Sequence, residues 1–204
     1  MFRHGDAKQR LVTAAGATAR VGGKGCAIGA ATPLAALLRT PGLSGIRLRD
    51  YGSCSPRPAD AGGLYVRRIR HDVAKGANGW VYKVGNKVGT TGAGDPSGPF
   101  GNGRLKNGAR VTWLYCRMKA TGCQRTLGVK PEVLGGGQVK VTVKAYDDSG
   151  KARPGGGATV FLGATSAKAD SHGVATLAAP AGEAKLHAEA KGMVRSFEEK
   201  VTVR

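Results

Sequence analysis

Apolar and polar residues alternate along several short segments of this 204-residue chain. The alternation is clearest in residues 46–51 (IRLRDY), 64–71 (LYVRRIRH) and 138–147 (QVKVTVKAYD). Successive side chains of a β-strand point to opposite faces, so a period of two predicts half-buried strands. Residues 8–15 are expected to form the first of them. The chain as a whole is predicted to be mainly β.

One segment, residues 31–39 (ATPLAALLR), follows a helical pattern instead. Thr32 is a suitable N-cap, and Pro33 stands where its missing N–H removes no helical hydrogen bond. The apolar stripe of this helix consists of Leu34, Leu37 and Leu38. The first domain is therefore expected to be α+β, with one helix.

The best hairpin signal lies in residues 78–88 (NGWVYKVGNKV). Trp80, Tyr82 and Val84 fall on one face of the first strand, and Gly85-Asn86 suits a tight turn. A second alternating segment, residues 105–116, carries Trp113 and Tyr115. At least two of these four aromatic side chains are expected to belong to the core.

A glycine-rich loop, residues 89–103 (GTTGAGDPSGPFGNG), follows the hairpin. Loops of this length are uncommon inside a compact domain and are often functional. The hypothesis for a ligand face combines this loop with the hairpin, and Tyr82, Asp95 and Phe100 are expected to be the exposed members. The candidate ligand-binding residues are Tyr82, Asp95, Phe100 and Trp80.

The pattern changes after residue 129. Residues 130–137 contain Pro131 and three successive glycines, which indicates a linker. Beyond it, turn signals at intervals of about 8–12 residues without a helical segment predict an all-β sandwich of Ig-like or prealbumin-like type. The expected organisation is a first domain over 8–129, a linker over 130–137 and a sandwich over 138–204.

The formal net charge of +19 is unevenly distributed. Residues 1–128 contain 21 basic and five acidic residues, and the rest of the chain contains 11 and eight. The basic part should attract polyanions such as nucleic acid, anionic lipid or an anionic cell-envelope polymer. The alternative is that the charge serves only to keep the protein in solution.

Arginines interleaved with Tyr65 suggest a platform for single-stranded nucleic acid as an alternative function. However, strand alternation places Arg67 on the face opposite Arg68 and Arg70. No single basic stripe is therefore predicted.

The four cysteines are Cys26, Cys54, Cys116 and Cys123. They form no CxxC pair and have no histidine at ligand spacing, which argues against a structural zinc site. An even number in a glycine-rich, aromatic-poor domain indicates disulfides and an oxidising compartment. Three pairings of the four cysteines are possible. The short turn between residues 116 and 123 favours a Cys116–Cys123 bond, which leaves Cys26 to pair with Cys54. The alternative is four reduced thiols in the cytosol.

No catalytic motif is present. His4, His71, His172 and His187 have no nucleophile at a recognisable spacing, and the Asp147-Asp148 pair precedes a Ser-Gly turn. We therefore expect no catalytic residue, cofactor or metal; an enzyme with dispersed site residues is the alternative.

No apolar run approaches the roughly 20 residues of a membrane span. The start of the chain has no signal-peptide core, so the expected export requires that the start be truncated or misassigned.

Three blocks of residues 11–129 resemble the transcobalamin-like C-terminal domain. They are GAATPLAALL, then GLYVRRI with NGWVYKVGNK, then LKNGARVTWLYC. The resemblance implies a β-grasp-like fold with one helix on a mixed sheet. The hairpin turn reads Gly-Asn where the family has Asn-Gly, and the loop 89–103 is expanded. Cobalamin is an unlikely partner, because the helical barrel that completes the corrinoid site in that family has no counterpart here.

Residues 138–204 are similar to carboxypeptidase-regulatory-like or invasin-like sandwiches, through GATV, ADSHGVATL and PAGEAKLHAEAKG. Such domains imply a secreted bacterial protein and supply architecture rather than activity. The expected function is non-catalytic binding or scaffolding outside the cell. The expected partner is an anionic cell-envelope polymer, a glycan or a small molecule, with nucleic acid as the alternative.

Overall fold

Strands provide most of the regular structure in the computed structural model, which describes residues 9–203. Contacts divide these residues into two units, Arg10–Met118 and residues 119–203 together with Gln9. The expectation of a mainly β fold is confirmed. Among the described residues, no helix is both long and apolar enough to cross a bilayer.

The first unit contains one α-helix, one 3₁₀ helix and eight strands. They are β1 Ala17–Val21, β2 Lys24–Ile28, α1 Pro33–Leu38, β3 Arg47–Asp50, the 3₁₀ helix Pro58–Gly63, β4 Leu64–Ile69, β5 Asp72–Val73, β6 Gly79–Val84, β7 Lys87–Val88 and β8 Val111–Cys116.

Three small sheets are built from these strands: β1–β2, β3–β4–β5 and β7–β6–β8. All their pairings are antiparallel, whereas the family resemblance implies a mixed sheet. The hairpin predicted over residues 78–88 is confirmed, and Gly85 takes the positive φ (59°) that its tight turn requires.

The predicted helix is α1, and its N-cap is confirmed. Thr32 Oγ1 accepts a hydrogen bond from the Ala35 N–H at 3.2 Å, while its hydroxyl donates to the Gly29 carbonyl at 3.0 Å. Leu34 and Leu37 are buried, as the apolar stripe predicted.

The first strand does not lie where the alternation placed it. Residues 9–16 have no regular structure, and Lys8 lies outside the described residues. The Gly22-Gly23 turn sets the register of the first hairpin, in which Ala17 pairs with Ile28, the last residue of β2. Strand β1 therefore begins at Ala17.

Both disulfides have the favoured pairing. The Cα atoms of Cys26 and Cys54 are 5.3 Å apart, within the usual range for a disulfide, and both residues are buried. Cys116 and Cys123 are bonded as well, and no cysteine is free.

The predicted linker differs from the structure. Thr126–Val133 forms strand β9, which pairs in antiparallel register with the following strand from Thr126↔Tyr146 to Val133↔Val139. Pro131 is tolerated because β9 is an edge strand, whose outer N–H groups need no partner. The glycine run is a hairpin turn, with positive φ at Gly136 and Gly137. The boundary between the units therefore lies near Met118 rather than at 130–137.

The second unit is a β-sandwich of two four-stranded sheets. Besides β9, its strands are β10 Gln138–Tyr146, β11 Ala152–Pro154, β12 Thr159–Leu162, β13 Thr165–Lys168, β14 Val174–Ala178, β15 Gly182–Glu189 and β16 Glu199–Val203. In one sheet, β10 pairs with β9, β11 and β14; the other sheet has the order β13–β12–β15–β16.

Alternation along β10 explains the core of the sandwich. Every second residue of this strand is fully buried, and these side chains pack with aliphatic residues of the opposite sheet. The β10 residues are Val139, Val141, Val143 and Ala145, and their opposite partners include Val160, Leu162, Leu186, Ala188, Val201 and Val203.

We predict that the double substitution C26S/C54S destabilises the first unit by about 3–4 kcal/mol. The bond closes a loop with a sequence separation of 28, and a chain-entropy model gives this loss for a loop of that size. The measurement is urea unfolding followed by the emission of the two tryptophans, both of which lie in the first unit. A midpoint equal to that of the wild type would contradict the prediction.

Candidate functional site

Four aromatic side chains share one face of the β7–β6–β8 sheet. The register pairs Trp80 with Tyr115 and Tyr82 with Trp113, so alternation places all four rings on the same side. The ring centroids are 5.6 Å apart in the first pair and 5.5 Å apart in the second. These distances are typical of favourable aromatic contacts.

The strand β6 supplies the buried half of this aromatic face. Trp80 and Tyr82 are only 2% and 6% exposed, while Trp113 and Tyr115 are half-buried. The expectation that at least two of the four rings are core is confirmed. The expectation that Tyr82 is exposed is wrong, because the glycine-rich loop covers its ring.

The polar groups of both buried rings are bonded to backbone carbonyls. The Trp80 indole N–H donates to the Asp72 carbonyl at 2.9 Å, and the Tyr82 hydroxyl donates to the Thr91 carbonyl at 2.9 Å. Burial raises the pKa of the Tyr82 phenol, although the bond to Thr91 opposes that shift. The Tyr82 hydroxyl therefore holds the loop and is poorly suited to proton transfer near neutral pH.

A cavity of about 230 Å³ lies against these rings. Its lining within the first unit comes from the aromatic face, from β4 and from the beginning of the loop. The principal lining residues are Leu64, Val66, Trp80, Tyr82, Val88 and Trp113. The cavity surface is mainly apolar.

Glycines allow the loop to form a wall of this cavity. A Cβ atom at Gly89 would overlap the Tyr82 ring, and one at Gly92 would overlap the carbonyl oxygen of Gly62. The loop is also held to α1, since the Leu34 N–H donates to the Ala93 carbonyl at 2.8 Å. Close backbone approach, rather than mobility, accounts for glycine at these positions.

Asp95 and Phe100 lie on the same loop but outside the cavity lining. The Asp95 carboxylate accepts a hydrogen bond from the Ser97 N–H at 2.8 Å, which is a local turn interaction. The half-buried Phe100 ring has Lys87 Nζ 5.6 Å from its centroid. Of the four predicted ligand residues, the structure brings together only Trp80 and Tyr82.

The sequence interpretation combined the hairpin and the loop in one ligand face, but it missed Trp113 and the β4 residues Leu64 and Val66 as parts of that site. Trp113 also carries a buried indole N–H that has no acceptor among residues 9–203. The signal that could have found this residue is the cross-strand register, which pairs Trp113 with Tyr82 once the turn is fixed.

The histidines are dispersed, as their sequence positions suggested. His71 is exposed at a turn, and His172 lies in a turn where its backbone N–H donates to Asp170. His187 stacks on Phe161 with ring centroids 4.9 Å apart. Burial, followed by the nearby Arg195, lowers the pKa of His187. His4 lies outside the described residues.

The Asp147-Asp148 pair lies at a turn, where Asp147 stabilises the turn and Asp148 Oδ2 accepts from the Cys123 N–H at 2.8 Å. Asp147 Oδ1 accepts from the backbone N–H groups of Ser149 and Lys151 at 3.0 and 2.9 Å, so the turn assignment is confirmed. Within residues 9–203, no group of three or more His, Cys, Asp or Glu side chains is placed to hold a metal ion.

Comparison with known proteins gives no relative. No protein-family model, no curated protein and no solved structure matches this chain.

We predict that Gly89→Ala destabilises the first unit by about 1–3 kcal/mol, because the added methyl group overlaps the Tyr82 ring and the loop must move. The matched control is Gly25→Ala, where a Cβ atom meets nothing within 4 Å. The control should change stability by less than about 0.5 kcal/mol. Thermal unfolding of both variants provides the measurement, and equal midpoints would contradict the prediction.

Proposed function

We propose that this protein is an exported or cell-surface, non-catalytic binding protein whose first unit binds a small apolar molecule. The observation that carries the proposal is the cavity of about 230 Å³ against Trp80, Tyr82 and Trp113. Apolar pockets lined by aromatic rings are the usual form of small-molecule sites.

The hydrogen bonds of the lining side chains favour an apolar ligand. The Trp80 N–H and the Tyr82 hydroxyl already donate to backbone carbonyls, so among these three rings only the Trp113 N–H is left to donate to a ligand. A sugar entering this cavity would lose water from its hydroxyl groups without gaining enough partners. A neutral ligand with apolar ring faces would instead pack against the three rings, so a small molecule is favoured over a glycan.

The volume of the cavity limits the size of the ligand. A dry protein cavity of about 150 Å³ holds benzene, so about 230 Å³ suits a ligand of roughly nine non-hydrogen atoms. This volume lies below the range of about 300–1,000 Å³ that is typical of drug-sized ligands. A corrinoid is far larger, so the cavity does not support cobalamin as the ligand.

The disulfides support the proposed compartment. Two of them in a chain of this size are typical of oxidising environments such as the cell exterior. The second unit then serves as an architectural sandwich, in line with the proposed resemblance of residues 138–204 to sandwiches of bacterial surface proteins. The resemblance of the first unit to the transcobalamin-like domain is likewise part of this proposal.

Indole, which has nine non-hydrogen atoms, is a suitable probe. We predict a saturable shift of the Trp80 and Trp113 side-chain N–H signals in ¹H–¹⁵N NMR, with a Kd of about 0.1–1 mM, as expected for a ligand of that size. Glucose should shift neither signal. These two signals are specific reporters, because the chain contains only two tryptophans and both line the cavity.

Two matched substitutions test the location. Val88→Phe adds a ring at a cavity-lining position and should weaken indole binding at least tenfold. Val133→Phe adds the same ring at an exposed position of the second unit and should leave binding unchanged. Absence of any indole shift, or equal affinities of the two variants, would contradict the proposed site.

A further inference from the structure

An exposed basic face lies on the β3–β4–β5 sheet, and one of its residues, Tyr65, also belongs to the cavity lining. Arg47 and Arg49 alternate with half-buried residues on β3, and Arg67 is exposed on β4. The register places Arg49 directly opposite Tyr65, so these two side chains lie on one side of the sheet. The register shifts between Arg47 and Leu48, where Arg67 is the extra residue of β4 and is exposed.

An exposed tyrosine continues this face. Tyr51 follows β3 and is 65% exposed. The Arg49 guanidinium carbon lies 4.7 Å from the centroid of its ring, and Tyr65 meets it edge-on with centroids 6.0 Å apart. These two contacts hold the Tyr51 ring in place before any ligand binds, which lowers the entropy cost of stacking on it.

The charge of this face is not neutralised locally. Among residues 9–203, no carboxylate forms an ion pair with Arg47, Arg49 or Arg67. The nearest acidic residue in sequence, Asp50, instead accepts hydrogen bonds from the backbone N–H groups of Gly52 and Cys54 at 3.0 and 3.1 Å. The unit Arg10–Met118 as a whole contains 17 basic and four acidic residues.

Strand pairing overturns the argument that no basic stripe forms. On β4 alone, strand alternation separates Arg67 from Arg68 and Arg70. Of these, Arg68 is half-buried and its Nε donates to the Arg70 carbonyl at 2.6 Å. On β3, Arg47 pairs with Arg68, and Arg67 is the unpaired residue at the irregularity that follows. The pairing of β3 with β4 therefore brings their arginines together, which could not be read from either segment by itself.

We propose that this face, formed by Arg47, Arg49, Tyr51, Tyr65 and Arg67, binds single-stranded nucleic acid. Guanidinium groups contact phosphates, and an exposed ring between them provides a stacking surface for an unpaired base. A polyol-phosphate or acidic polysaccharide would use the arginines but would gain no base stacking from Tyr51. The two sites share Tyr65 but no arginine. The inference does not rest on the proposed cavity ligand, because phosphate contacts and base stacking on Tyr51 differ from the chemistry of the cavity.

The test is fluorescence anisotropy with a labelled oligothymidine of about 12 nucleotides, a length within the usual site sizes. We expect the affinity of the wild type to fall as the salt concentration rises. The R47Q/R49Q/R67Q variant should bind at least tenfold more weakly, and its slope of log affinity against log salt concentration should be smaller by about 2. The matched control K144Q/K168Q/K191Q removes the same charge from exposed positions of the second unit and should weaken binding less than about twofold.

Tyr51→Leu separates nucleic acid from other polyanions. It should weaken oligonucleotide binding about tenfold while leaving the salt slope unchanged, because stacking involves no counterion release. Equal losses in the two triple variants would overturn the proposal. The proposal would also be overturned if Y51L bound the oligonucleotide as tightly as the wild type and poly(glycerol phosphate) competed as strongly as unlabelled oligonucleotide. That result would assign the face to an envelope polymer. Indole binding measured on the same variants reports folding and distinguishes failure here from failure of the cavity site.

Discussion

The close approach of the Gly89 backbone to the Tyr82 ring sets how the aromatic face, the glycine-rich loop and α1 fit together. The loop can reach this ring only where a side chain is missing, and the Tyr82 hydroxyl then fixes it through the Thr91 carbonyl. From there the chain continues to Ala93, whose carbonyl accepts from the first turn of α1. These three contacts link the aromatic face, the loop and the only α-helix of residues 10–118.

The same constraint creates the cavity. A loop that lies on one edge of an aromatic face leaves space beside it, because the backbone of residues 89–93 is too thin to fill the volume that larger side chains would occupy. The second unit shows the opposite solution. Its sandwich core consists of Val, Leu and Ala side chains from two facing sheets, with every second residue of β10 fully buried.

The sequence was most informative where the pattern is local. Thr32 and Pro33 predicted the start of α1, and Gly85-Asn86 predicted the β6–β7 turn, because caps and turns depend on adjacent residues. The sequence was least informative where a residue's environment depends on which strands and loops pack beside it. Pro131 looked like a linker residue until β9 proved to be an edge strand, and Tyr82 looked exposed until the loop covered it. The same limitation hid the basic face, which needs two strands to form.

The most direct test of this account is a set of nuclear Overhauser effects between aromatic rings, with and without indole. The account predicts strong effects between Tyr82 and Trp113 and between Trp80 and Tyr115, together with intermolecular effects from indole to Trp80, Tyr82 and Trp113 but none to Phe100. Absence of the Tyr82–Trp113 and Trp80–Tyr115 effects would contradict the register, and effects from indole to Phe100 instead of the three rings would contradict the cavity site.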